Sequence, residues 1–231
     1  AAFPTAPLVV RGQLLCRDVE GNVVRTLNAD IRLEWGATPP RAQVAVADAF
    51  GAHLAGMSLR RPQGRPVEVE VFTNDPPVRV ERPDLDAAIA GTDFTWSDLT
   101  LSFLWWPGGK TYATEMKKTR LCYVVDLPAP AGSGPCARMR LWVDAHEYAL
   151  LQADAFDTSG RAIRRLAVKS LRKIGDTWTL EDLDLETLTA RTRTTLRVLE
   201  SRLETPEAAS PAAAGPPAPD VPPVTPIPAA P

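Results

Sequence analysis

The chain has 231 residues, 26 basic and 28 acidic side chains, a net charge of −2, and 15 aromatic residues (6 Trp, 3 Tyr, 6 Phe). This near-neutral balance lacks the electrostatic footprint of a nucleic-acid partner, and no apolar run approaches the ~20 residues of a transmembrane segment. No GxSxG, HExxH, GxGxxG or Walker sequence is present and the histidines number 2, so the expectation is a non-enzyme with no metal and no cofactor.

Residues 1–7, AAFPTAP, are small and Pro-rich. They read as a remnant following a removed signal peptide, or as the end of a trimmed helix. An exported, periplasmic protein is expected, in a compartment where cysteines can pair. From residue 8 onward the chain alternates with period two. RGQLLCR, ADIRLEW, RAQVAVAD, HLAGMSLRR and PVEVEVF read as strands, separated by the turns EGN, GATPP, AFG and RPQGR. Alternation of this kind belongs to an antiparallel sheet with one wet and one buried face. Leu33, Trp35, Val44 and Val46 are candidates for the buried face.

The stretch GTDFTWSDLTLSFLWWPGG then breaks the alternation and carries 5 aromatics, 3 of them tryptophans. Thr95 is a good N-cap with Asp98 three residues on, and Phe94 and Leu99 fit a hydrophobic staple. Trp96, Leu99, Phe103 and Trp106 share one face of a helix over 96–104. Pro107-Gly108-Gly109 ends it. Packed on the inside of a curved sheet, this helix either plugs the core or walls a cavity for an apolar ligand. The cavity reading names Phe94, Trp96, Leu99, Phe103 and Trp106, with Leu33, Trp35, Val44 and Val46.

A second meander follows: TRLCYVVDLP, ARMRLWVDA, EYALLQADAFD, RAIRRLAVKSLRKIG, TWTLEDLDLE and RTRTTLRVLE. With the first group this makes about eleven strands, too many for a flat open sheet, so the sheet must curl. Cys122 and Cys136 flank LPAPAGSGP, and a turn centred near Ala129 would set them opposite each other. Both a disulfide and two buried free thiols fit that geometry, with Cys16 unpaired on its strand. Asp93 and Asp98 suit helix capping better than acid–base chemistry. His146, in VDAHEY, reads as a solvated turn residue. Arg161, Arg165, Lys169 and Lys173 share parity and form either a solvated outer face or a positive docking stripe. Residues 205–231 hold 10 prolines, and their composition predicts a disordered Pro/Ala-rich tail. The globular domain is therefore residues 8–204.

GTDFTWSDL resembles the G(S/T)DFSYEDL motif of the LolA-like family of outer-membrane lipoprotein-sorting proteins. The later pattern of Trp142, Val143, Asp144, Leu151, Phe156, Asp157, Gly160, Trp178 and Thr189 to Leu196 resembles the same family in order and spacing. The resemblance spans roughly residues 8–200. It implies a mainly β fold: a single strongly curved antiparallel sheet, a half-open β-barrel, with one or a few short helices over its concave face. It also implies a periplasmic carrier that holds lipoprotein acyl chains, or another lipid, in the concavity. Its partners would be an envelope transporter or acceptor protein. The alternative is a non-transport interaction or sensor module with the same fold.

Overall fold

The computed structural model describes residues 5–174 and 177–204. The expected tail at 205–231, and all but Thr5, Ala6 and Pro7 of the N-terminal remnant, lie outside the described residues. Six strands open the chain: β1 (Leu8–Arg17), β2 (Val23–Glu34), β3 (Arg41–Ala47), β4 (His53–Arg60), β5 (Glu68–Thr73) and β6 (Val78–Arg79). One helical turn, α1 (Trp96–Leu99), and a 3-10 turn at Ser102–Trp105 follow. The second group is β7 (Lys110–Lys117), β8 (Arg120–Pro128), β9 (Arg138–Asp144), β10 (Leu150–Phe156), β11 (Ala162–Val168), β12 (Leu171–Ile174), β13 (Thr177–Leu180), β14 (Leu183–Thr187) and β15 (Thr192–Leu203).

Thirteen strands form one antiparallel sheet in the order β6-β5-β4-β3-β2-β1-β15-β14-β11-β10-β9-β8-β7. The first and last strands meet at its centre, with Leu8 opposite Leu203 and Arg17 opposite Arg193. Each half then meanders outward, so β6 and β7 become opposite edges. The sheet is not closed, and the fold is the half-open, mainly β architecture expected.

Period-two alternation assigns the two faces. In β3, Ala42, Val44 and Val46 are buried while Arg41, Gln43 and Ala45 are exposed. Register lines Val10, Ile31, Val44, Met57 and Val71 across five strands as one inner row, and all five are buried in one core. The outer face carries a charge row set by the same registers. Lys110, Asp126, Arg140, Asp154, Arg165, Glu186 and Arg193 are successive cross-strand partners. Their signs alternate, so every neighbour is attractive. Arg140 donates to Asp126 at 2.7 and 2.9 Å, and Arg165 to Asp154 at 3.0 and 2.8 Å. The hydrogen bond from Arg140 is the main cause holding Asp126 below the usual carboxylate range. Arg165 therefore faces a carboxylate, as does Lys169, 3.4 Å from Asp184. At Arg165 and Lys169 the positive stripe suggested by sequence parity is met by acidic neighbours that parity along one strand does not reveal.

Fifteen strands among the described residues exceed the eleven expected, because β6 and β7 were not expected and two long runs each bend. Val168 pairs with Leu183, but beyond Lys169–Ser170 and Glu181–Asp182 the ladder leaves the main sheet and continues as the separate hairpin β12–β13. The cysteine pairing fails for a register reason. The β8–β9 ladder sets Cys122 opposite Asp144 and starts at Pro128 opposite Arg138, so Cys136 lies past its end. Cys122 belongs to a small outer cluster with Val124, Trp142 and Leu151, whereas Cys136 packs against the main core. All three thiols are free, Cys16 and Cys122 buried.

Two measurements follow from this register. Thiol titration of the denatured, unreduced protein should find three reactive groups, and a count of one would mean a bridge. Gly12 sits at the β1–β15 bulge, where an added Cβ would lie 2.6 Å from the Arg197 carbonyl oxygen. Gly12→Ala should therefore cost about 1–3 kcal/mol in denaturant unfolding, since backbone rather than a flexible side chain must yield.

Candidate functional site

β6 and β7 are consecutive in the main sheet's chain path yet lie at opposite edges, and the connection between them crosses the concave face. That is where the aromatic segment sits. Phe94, Trp96, Leu99, Leu101 and Phe103 join the same core as the inner-row residues of both halves.

Locally the segment folds as its capping signals dictate. The Thr95 side chain accepts from the Asp98 backbone N–H, and Asp98 accepts from the Thr95 backbone N–H at 2.8 Å, a reciprocal capping box. The helix is shorter than expected. Leu101 adopts φ 49°, in the left-handed region, and a 3-10 turn follows. The reason lies at Thr100 and Ser102. Thr100 Oγ1 donates back to the Trp96 carbonyl at 2.8 Å and meets Ser102 Oγ at 2.7 Å, local bonding that competes with helix propagation.

Polar straps pin the segment to four places on the wall. Asp93 accepts from Thr192 Oγ1 at 2.6 Å and Thr194 Oγ1 at 2.8 Å, both on β15. It is thus an anchor to the sheet and not a helix cap. Arg164 of β11 pairs with Asp98 and donates to the Asp93 carbonyl at 2.8 Å. Arg25 of β2 donates to the Ala90 carbonyl at 2.6 Å, and Arg61, just after β4, donates to Ser102 Oγ at 2.9 Å.

Two chambers remain, one on each side of the segment. The hairpin-side chamber, about 120 Å³, is walled by Leu33, Trp35, Leu99 and Leu104 and covered by Leu171 and Trp178 of β12–β13. The second, about 200 Å³, has Phe103, Trp106, Met139 and Leu166 in its walls beside the Asp98–Arg164 pair. Of the nine cavity candidates, Leu33, Trp35 and Leu99 line the first chamber and Phe103 and Trp106 the second. Phe94, Trp96, Val44 and Val46 line neither and are buried in the core. Sequence reasoning missed Arg164 and Arg61, did not count Leu104 among the cavity residues, and read the β12 and β13 segments as strands without giving them a place over the chamber. The arginines sit in runs that read as ordinary strand and turn, and only the crossing segment gives them a role.

Comparisons place this architecture among known folds. A family model described only as an uncharacterized protein matches residues 75–209, more than half of the chain, and the chain belongs to that family. No curated protein matches its sequence. Three solved structures share the fold. One is a DUF1329 family protein from Desulfovibrio piger, 15% identical, covering 87% of each chain, TM-score 0.73. Another is described as an outer membrane lipoprotein-sorting protein domain from Vibrio parahaemolyticus, 10% identical, covering 88% of this chain and 87% of that one, TM-score 0.75. A LolA superfamily protein from Nitrosomonas europaea is 15% identical, covers 88% of each chain and has a TM-score of 0.65. The fold is LolA-like.

The straps make a stability prediction. The Asp98 side chain is 8% exposed, so Arg164→Ala strands a buried carboxylate and should cost about 3 kcal/mol. Arg164→Met with Asp98→Asn should recover much of that loss. Urea unfolding of the two variants decides it, and equal losses would mean the pair is not the strap.

Proposed function

We propose that this member of the family, with its LolA-like fold, is an exported, periplasmic carrier that holds acyl chains of a lipoprotein or another lipid. It would pass them to an envelope transporter or acceptor protein. The observation carrying the reading is the apolar chamber under β12–β13. Among the described residues the cover's strands pair with each other and not with the main sheet, so it can swing out while the thirteen-strand ladder stays intact. Burial is worth roughly 0.8 kcal/mol per CH₂, enough for a single chain to bind without a charged site. At 120 Å³ the chamber is below the ~300 Å³ of ordinary ligand pockets. Displacement of the hairpin would enlarge it to take a whole chain. The chamber is lined mainly by apolar side chains, with Tyr148, Thr179 and Glu181 among them, a lining that favours binding of an alkyl chain.

The straps favour a second reading. A crossing segment pinned at Asp93, Asp98, Ala90 and Ser102 behaves as a fixed plug, and the protein is then a non-transport interaction or sensor module of the envelope. Titration of tryptophan fluorescence with dodecanoic acid separates the two. The carrier reading expects a saturable response, co-purifying lipid by mass spectrometry, and at least tenfold weaker binding in Leu104→Gln with its melting temperature within a few degrees. A folded protein with no response and no lipid leaves the module reading.

A further inference from the structure

Arg61 stands apart from the arginines that are paired with carboxylates on the sheet. Arg32 is paired with Glu34 and Glu204, Arg138 and Arg140 with Asp126, and Arg164 with Asp98. Among the described residues Arg61 has no carboxylate partner, and its Nε is buried with no hydrogen-bond partner at all. Burial alone pushes its pKa down. Its ties are a hydrogen bond to Ser102 Oγ at 2.9 Å and a stack over the Trp105 ring, 5.2 Å from the centroid. The hydroxyl chain beyond is spent. Thr100 donates to the Trp96 carbonyl, so Ser102 must donate to Thr100 and accept from Arg61. A guanidinium held out of water with one donor unmet destabilises the fold unless an anion completes it.

The surroundings supply room for one. Arg61 lines an open cleft of about 480 Å³ together with Ser102, Trp105, Trp106 and the Pro130–Ser133 turn. Asp86, Ser97, Trp106 and Ser133 are walls of both this cleft and the 200 Å³ chamber, so the two adjoin across Trp106. We propose that Arg61 is the binding site for the oxyanion head, carboxylate or phosphate, of a single-chain amphiphile whose chain passes Trp106 into that chamber. This rests on the reading that the concave face takes acyl chains, and it places this acyl chain in the second chamber, on the other side of the crossing segment from the one under β12–β13. A cavity of about 150 Å³ suffices for a benzene ring, so 200 Å³ takes the first stretch of an alkyl chain. Asp84 and Asp86 also line the cleft, and burial is the first cause raising the Asp86 pKa.

The experiment compares dodecanoic acid, methyl dodecanoate and inorganic phosphate by tryptophan fluorescence, in the wild type, Arg61→Gln and Arg61→Lys. The expected result is at least tenfold tighter binding of the acid than the ester in the wild type. Arg61→Gln should abolish that preference with ester binding unchanged, and Arg61→Lys should restore part of it. Arg61→Gln removes the unpaired charge together with the strap to Ser102, so it should melt within a few degrees of the wild type. An acid preference that stays intact in Arg61→Gln, whatever its melting temperature, would confine Arg61 to its strap role and overturn the proposal. Equal binding of acid and ester by the wild type overturns the proposal but leaves the acyl-binding reading standing, whereas no binding of either removes both. Phosphate binding that depends on Arg61 without any acid-over-ester preference would identify a small-anion site and overturn the amphiphile assignment.

Discussion

The structure depends on one topological constraint. Because β1 and β15 pair at the centre, the strands that end the first meander and begin the second lie at opposite edges of the sheet. The chain must travel from one edge to the other, and the concave face is the route it takes. A connection lying there is surrounded by apolar side chains, so it must itself be apolar wherever it touches them. This explains why so many aromatics fall in one short stretch. They are what lets an irregular segment lie in the centre of a core.

Apolar burial alone would not order that segment. A helix of four residues has no stability of its own, since nucleation is costly and nothing propagates to offset it. Fully burying side chains such as Phe94 and Phe103 gives roughly 1.5–3 kcal/mol each, but that force is non-directional and specifies no register. The straps supply the direction. Asp93 fixes the segment to β15, Arg164 to β11, Arg25 to β2 and Arg61 to the end of β4. They also satisfy backbone groups that a buried loop would otherwise leave unpaired, as at the carbonyls of Ala90 and Asp93.

Much of the sheet was legible in the sequence because period-two alternation directly encodes which face is buried. The capping box at Thr95 and Asp98 was legible for a similar reason: it depends on residues three apart. What failed depended on distant partners. The helix was extended through Leu101 because the apolar periodicity continues, while the Thr100–Ser102 hydroxyl contact that breaks it leaves no periodic signature. The Cys122–Cys136 pairing assumed a turn centre that the β8–β9 register does not share. The basic parity of Arg165 and Lys169 was real, but their acidic partners are on neighbouring strands. Of the site, the crossing residues and the wall residues Leu33 and Trp35 were visible as large apolar side chains. Val44 and Val46 looked the same in sequence, yet they sit where the segment presses against the sheet and no space remains.

The two faces of the sheet also divide the labour between rigidity and movement. On the outside, alternating charges from Lys110 to Arg193 tie seven strands by register, and each strand is also held by backbone hydrogen bonds on both sides except at the edges. Opening that wall would break a ladder along its whole length. On the inside, the strands of hairpin β12–β13 pair with each other and not with the main sheet, with Leu171 and Ile174 resting on the core, and the crossing segment is held by discrete side-chain contacts. Any enlargement of the concavity must therefore come from these two elements. They do not contribute equally. Moving the segment exposes Phe94 and Trp96 and separates Asp98 from Arg164, whereas moving the hairpin uncovers the half-buried Leu171 and Trp178. The lower-cost motion is at the hairpin, and it opens the chamber that is lined mainly by leucine, valine and tryptophan and lacks the Asp98–Arg164 pair.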